Sequence, residues 1–204
     1  MLALLALIGL GMPSLQRRMQ LDDETCLFYA GFLAHRRPNA LSLRRMLEDC
    51  FDLPVRVEQF RGQWLYLSAD NQSSLPSREC PEGRNCALGE NVIVGTRVWS
   101  VENAFRIRLG PLRYHEFEQL VPSGETLTRL AQLVRMYVGP EYDFDVQLVL
   151  RATEVPASRL GGDGPIQTRL GWNSWLISRP PREDVSDAVF VHEGWPERAG
   201  RQSA

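Results

Sequence analysis

The sequence predicts an α+β fold: N-terminal helices followed by two mixed β units, with intervening helices and two long protruding loops. Three observations carry that expectation. Apolar residues recur at helical spacing through the first quarter of the chain and again over 125–138. Apolar and polar residues alternate at 55–58, 104–109 and 143–150, the period of a half-buried strand. Two stretches, 70–87 and 153–168, are rich in turn-forming and polar residues and outrun ordinary connections.

The elements follow in order. Residues 2–9 are an apolar run that Gly9, Gly11 and Pro13 bring to an end. The run is too short for a bilayer, which takes about 20 apolar residues, and it lacks the basic flank of a signal peptide. A buried or amphipathic helix is expected, and a chain opening on such a helix reads as shortened at its N-terminus. A second helix is expected from Asp22 or Asp23 to His35. Its acidic start and basic end (His35, Arg36, Arg37) suit the helix dipole, and Pro38 stops it. Leu27, Phe28, Gly31 and Phe32 form its expected apolar stripe. A third helix covers 40–50, with Leu41, Leu43, Met46 and Leu47 on one face.

Pro54 marks the change to strands. Val55 and Val57 alternate with Arg56 and Glu58, and 64–67 is a second strand candidate. Further strands are expected at 91–98 and 104–109, the latter closed by a turn at Gly110-Pro111. Core packing is the default for Trp64 and Trp99. Helices follow at 114–121 and 125–138, the second with Leu127, Leu130, Ala131, Leu133, Val134 and Tyr137 apolar. The strand 143–150 points Phe144, Val146, Leu148 and Leu150 inward. Residues 170–177 are apolar and carry Trp172 and Trp175, which serve either as core anchors or as interface hot spots. The tail is polar apart from a strand-like run at 189–191. The expected parts are a helical region 1–52, a β unit 53–122 with loop 70–87, a helix and second β unit 123–180 with loop 153–168, and a tail 181–204.

A weak echo links the two β units. Val55 and Val57 precede a loop that ends in Leu88-Gly89, with Trp99 beyond. Val146 and Leu148 precede a loop that ends in Leu170-Gly171, with Trp175 beyond. The landmark spacings differ, so chance and a true repeat both remain open.

Composition excludes several chemistries. The net charge of −2 lacks the cationic surplus of a dedicated nucleic-acid binder. All 23 basic residues are Arg, so Schiff-base and Walker-lysine mechanisms are excluded. Cys80 and Cys86 stand as C-x5-C in the first polar loop, which is not the spacing of a zinc site. A loop-closing disulfide and a pair of reduced thiols are the two readings, and the missing export signal favours thiols. Cys26 and Cys50 read as small buried hydrophobes. His115, His192 and their neighbouring acids Glu116 and Glu193 form the sole acid–base pairs, with a helix surface and a solvated tail as the plain alternative. Asp143 and Asp145 share a strand face without a further acid cluster, so no metal site and no cofactor are expected.

An ordered series of motifs resembles a known family. It runs through Val98-Trp99, Gly110-Pro111-Leu112, Leu120-Val121-Pro122-Ser123-Gly124 and Leu133-Val134-Arg135-Met136-Tyr137. It continues with Asp143-Phe144-Asp145-Val146, Glu154-Val155-Pro156 and Leu170-Gly171-Trp172-Asn173-Ser174-Trp175-Leu176. Upstream, Phe51, Pro54, Val55, Val57, Gln59, Phe60, Gly62 and Trp64 fit the same pattern. The series is similar to the type VI secretion system baseplate subunit TssG, also called VasB or ImpH, over 5–177. The family's usual N-terminal segment is expected to be lacking here, and the Cys80/Cys86 pair is not one of its features.

The resemblance implies a non-enzymatic scaffold that is cytoplasmic and assembled at the cytoplasmic face of the inner membrane. Its implied partners are two copies of TssF, one TssE, and trimers of the adaptor TssK gripped by two loops. By position those loops are 70–87 and 153–168, and the expected contact residues are Leu75, Leu88, Leu160, Leu170, Trp172 and Trp175. No nucleic acid, membrane insertion or small-molecule substrate is implied. One alternative is a small hydrolase or nuclease using His115 or His192. A second is an exported domain with a Cys80–Cys86 disulfide.

Overall fold

The computed structural model describes residues 2–7, 9–34, 37–78, 80–158 and 169–190. The chain divides into two units, one built from Met1–Gln59 and Phe105–Glu193, the other with Phe60–Ala104 as its described part.

The first unit is a helical layer on a sheet. Its helices are α1 (Leu2–Leu7), α2 (Asp23–Phe28), α3 (Ala30–Leu33), α4 (Ala40–Phe51), α5 (Tyr114–Gln119) and α6 (Glu125–Val138). Its strands are β1 (Val55–Glu58), β4 (Ala104–Leu112), β5 (Asp143–Leu150) and β6 (Val185–Phe190), in sheet order β1-β4-β5-β6. The α+β class is therefore the observed one, and strands from both halves of the sequence share one sheet. β1 pairs antiparallel with β4, and β5 antiparallel with β6. β4 and β5 run the same way, because Arg106 faces Asp145, Gly110 faces Val149 and Leu112 faces Arg151 at one constant sequence offset. A parallel pair needs a long crossover, and α5 and α6 supply it.

α6 is the centre of the helical layer. Its apolar stripe of Leu127, Leu130, Ala131, Leu133, Val134 and Tyr137 is buried, as the spacing predicts. α3, α4 and α5 pack against it. Two polar clamps fix the chain to its surface. The Gln132 side-chain carbonyl accepts the backbone N–H groups of Gln20 and Leu21, at 2.8 and 3.2 Å. The Tyr137 hydroxyl accepts the Asn39 N–H at 3.0 Å, and the Asn39 side chain caps α4 by accepting the Ser42 N–H at 2.8 Å. The sheet's buried face carries Val55, Ile107, Leu109, Phe144, Val146 and Leu148. Its other face is a ladder of opposite charges. Arg108 pairs with Glu58 at 3.1 Å, and Arg106 grips Asp145 with two 2.7 Å hydrogen bonds.

Several sequence expectations need correction. The second helix breaks at Tyr29 into α2 and α3, and its buried face carries Cys26 and Tyr29. Phe28 is 76 % exposed, and Leu41 of α4 is exposed as well, so helical spacing placed both on the wrong side of the stripe edge. Residue His35 of the expected helix end lies outside the described residues. Gly110-Pro111 is no turn: β4 runs through it to Leu112, across a cis peptide bond. Gly110 has φ +129°, and a Cβ there would lie 2.4 Å from the Val149 carbonyl oxygen, so the adjacent strand requires glycine. The strand-like run in the tail is the end of β6, which covers the edge of β5.

The second unit is a ribbon of β2 (Gln63–Tyr66) and β3 (Arg97–Ser100) with a long excursion between them. The strand expected at 91–98 shrinks to β3, since 91–96 lie in turns and loop. Trp64 and Trp99 stand directly opposite each other, with ring centroids 5.2 Å apart. They are 44 % and 53 % exposed, so the expected core placement is overturned. The reason is local. A two-stranded ribbon has two faces, and here Gln63 is buried while Trp64 and Tyr66 point outward. A Cβ on Gly62 would fall 2.0 Å from the Trp99 ring, so glycine lets the indole lie against the backbone.

Candidate functional site

The first polar loop is more ordered internally than its composition suggests. Ser74 and Arg84 exchange two backbone hydrogen bonds of 2.9 Å, which pinch the loop into a small hairpin. Arg84 also pairs with Asp70 at 3.1 Å. The Cys80 and Cys86 side chains are free thiols, as favoured from the sequence. Cys80 donates to the Gly83 carbonyl at 3.3 Å and Cys86 to the Ser74 carbonyl at 2.7 Å. Leu75 lies next to the pinch and is 83 % exposed.

The loop ends in a tight turn at 87–91. The Asn91 side-chain oxygen accepts the Ala87 N–H at 3.0 Å, and the Ala87 carbonyl accepts N–H groups from Glu90 and Asn91. Gly89 has φ +82°. Leu88 sits at the tip, 93 % exposed.

The second loop has its described ends in the first unit, anchored on α5. The Glu154 carboxylate accepts the Tyr114 N–H at 2.6 Å, at the first turn of α5. The Ser158 hydroxyl accepts the Trp175 N–H at 2.8 Å, which ties the two ends of the loop together. Trp175 packs on Phe117 with centroids 5.7 Å apart, and Trp172 meets Phe190 of β6 edge-on at 6.4 Å. Both indoles are half-buried. Asn173 is buried, and its amide donates to the Tyr114 hydroxyl at 3.2 Å. Its side-chain oxygen accepts the Arg169 N–H at 2.6 Å, closing a turn at 169–173. The Arg169 carbonyl accepts N–H groups from Trp172 and Asn173, and Gly171 has φ +78°. Leu170 at this tip is 94 % exposed.

The expected contact residues thus fall into two groups. Leu75 and Leu88 belong to the second unit, while Leu170, Trp172 and Trp175 belong to the first. Leu160 lies outside the described residues. Sequence reasoning missed the outward Trp64–Trp99 pair, over which the Arg97 guanidinium stacks 4.4 Å from the Trp64 ring. Alternation of Gln63, Trp64, Leu65 and Tyr66 was the available signal, but which face was covered could not be read from it.

The catalytic alternative gains no geometry. His115 is exposed on α5, and its neighbour Glu116 accepts the Arg113 N–H at 2.7 Å, the work of a helix-capping carboxylate. His192 lies outside the described residues. Asp145, one of the two strand carboxylates, is held by Arg106. Among the described residues, no group of three or more His, Cys, Asp and Glu side chains is placed to hold a metal ion. No described helix is long and apolar enough to cross a membrane.

Comparison with known proteins adds the wider context. A chain in the cryo-electron-microscopy structure of the type VI secretion system TssK-TssF-TssG baseplate subcomplex has a similar fold, with TM-score 0.73 and 17 % identity. The match covers 100 % of this chain and 84 % of that one. A chain in a structure of the baseplate complex from the type VI secretion system matches with TM-score 0.61 and 17 % identity, over 92 % of this chain and 52 % of that one. At such identities the likeness is one of fold. No curated protein matches the sequence. The family model for type VI secretion TssG matches residues 1–177, most of the chain, so the chain belongs to the TssG family.

Proposed function

We propose that this chain is a structural, non-catalytic wedge subunit of a type VI secretion baseplate in the cytoplasm, at the cytoplasmic face of the inner membrane. In this reading it scaffolds two copies of TssF and one TssE, and it grips TssK trimers through the loops 70–87 and 153–168. The contact set is Leu75, Leu88, Leu160, Leu170, Trp172 and Trp175. Family membership and the neighbouring TssK-TssF-TssG subcomplex support the setting.

The observation that carries the loop assignment is the exposure of Leu88 and Leu170, at 93 % and 94 %. A protein that leaves leucines that bare at the ends of two long loops exposes apolar surface which a partner would remove from water. Trp172 and Trp175 are half-buried, so their part is to hold the loop base rigid while their outer edges contribute contact area.

The test is co-purification with the cognate TssK. Leu75→Asp with Leu88→Asp, and separately Leu170→Asp, are expected to weaken capture, and deletion of 70–87 together with 153–168 is expected to abolish it. Undiminished capture by the double deletion would remove the loop assignment. Capture of TssF in the same experiment reports whether the rest of the scaffold is intact.

A further inference from the structure

Two thiols fasten the hairpin of the first loop. Cys80 is half-buried and Cys86 is exposed, and neither belongs to the contact set proposed above. Both sulfurs neighbour one residue, Gly83. The Cys80 thiol donates to the Gly83 carbonyl at 3.3 Å, and a Cβ added to Gly83 would lie 2.8 Å from the Cys86 sulfur. Gly83 has φ +71°, so the backbone and the sulfur beside it both require glycine. The Cys86 thiol donates to the carbonyls of Ser74 and Arg84, at 2.7 and 3.2 Å. Those are the two residues whose backbones pair at the pinch. The Ser77 hydroxyl accepts the Cys80 N–H at 3.2 Å, and the Cys80 carbonyl accepts the N–H groups of Ser77 and Gly83. Each S–H therefore closes part of the hairpin, and the two sulfurs share one glycine as their neighbour.

We infer that Cys80 and Cys86 form a dithiol oxidation site for a hydroperoxide, and that their conversion to a disulfide opens the hairpin. The inference stands apart from the loop's reading as a partner contact. Cys86, the exposed thiol, reacts first. Its thiolate attacks one peroxide oxygen, the O–O bond breaks, and the leaving oxygen takes a proton and departs as water or alcohol. Cys86 is left as a sulfenic acid. The Cys80 sulfur then attacks the Cys86 sulfur. An S–S bond forms, the S–O bond breaks, and the hydroxyl leaves as water with the Cys80 proton. Two thiols are oxidised and one hydroperoxide is reduced. A disulfide sulfur carries no hydrogen, so the carbonyls of Gly83, Ser74 and Arg84 lose their thiol donors. Cys80 lies inside the hairpin and Cys86 beyond the pinch, so joining them draws 84–86 toward the tip and away from Ser74. A dithiol reductant reverses the step by exchange, as it does for exposed disulfides generally.

The experiment treats the full chain with hydrogen peroxide and maps its cysteines by mass. Trypsin cuts at Arg84, between the two cysteines, so a disulfide joins two peptides that reduction separates. The Cys80–Cys86 linkage is expected to appear with peroxide and to vanish with dithiothreitol. In Cys80→Ser the second thiol is gone, and peroxide is expected to leave Cys86 as a sulfenic acid that dimedone traps. Serine keeps a donor for the Gly83 carbonyl, so the reduced variant is expected to keep the hairpin. Hydrogen exchange at the Ser74 and Arg84 amides is expected to quicken about tenfold in the oxidised natural chain, on the order of one or two hydrogen bonds lost, and to slow again on reduction. Absence of the Cys80–Cys86 linkage after peroxide, or linkage to Cys26, Cys50 or a second chain in its place, overturns the oxidation site. Linkage with unchanged exchange at Ser74 and Arg84 overturns the opening of the hairpin.

Discussion

Cys26 and Tyr29 sit together on the buried face of α2 and its junction with α3, where burial opposes ionisation. The Cys26 thiol is pushed from 9.0 up to about 11, first by burial and then by the nearby Asp23 carboxylate. Burial also raises Tyr29, helped by the hydrogen bond it donates to Asp49 at 2.7 Å. The sign of the linkage follows. Above pH about 9 the unfolded thiol loses its proton while the folded one keeps it until about 11, so stability falls as pH rises through that window. Urea titrations at stepped pH are expected to show this slope, and Cys26→Ala is expected to flatten it. The same burial makes Cys26 slow toward alkylating agents, whereas exposed Cys86 reacts first; mass mapping after brief iodoacetamide treatment checks the order. Asp145→Asn leaves Arg106 charged and poorly paired in a mostly buried place. It is expected to cost about 2 kcal/mol, measured by urea unfolding.

At the scale of elements, α6 carries the heaviest burden in the helical layer. Leu133 is completely buried, so Leu133→Ala is expected to destabilise the first unit by about 2–5 kcal/mol, read from the shift of the denaturation midpoint. The β2–β3 ribbon depends on Gly62 in a different way. Gly62→Ala places a methyl group inside the Trp99 ring position, so the indole must swing away from Trp64. Tryptophan fluorescence is expected to shift, with little loss in overall stability because both rings are already exposed. The two long loops differ as elements too: a backbone pinch at Ser74 and Arg84 closes the first, while contacts with α5 anchor the second at its base.

For the whole molecule, under the proposed function, a net charge of −2 and exposed leucines on turns of opposite charge would make association rest on apolar burial. Capture of TssK is therefore expected to weaken little when salt is raised well above physiological strength, since screening acts on exposed charge pairs. A steep loss of capture with salt would assign the contact to the Arg-rich surface instead.

Much of this protein was legible in the sequence, for a definite reason. α6 and β5 have the ends and the buried faces that their apolar spacing predicts, because each is long enough for its period to repeat several times. The family resemblance likewise rested on an ordered series of motifs, and the family match covers the same stretch. Short elements were less readable. Four residues of β2 alternate cleanly, but nothing local says which face a neighbour covers, so Trp64 and Trp99 were placed inside when they stand outside. Gly110-Pro111 has the letters of a turn, and only the close approach of β5 shows that it is strand. The Leu-Gly echo was visible as letters, but only the structure shows the Asn91 and Asn173 side chains each closing a turn after those letters. Local periodicity fixes what a segment can be. Which of its faces is covered, and which residues meet across the chain, is decided by packing between segments far apart in sequence.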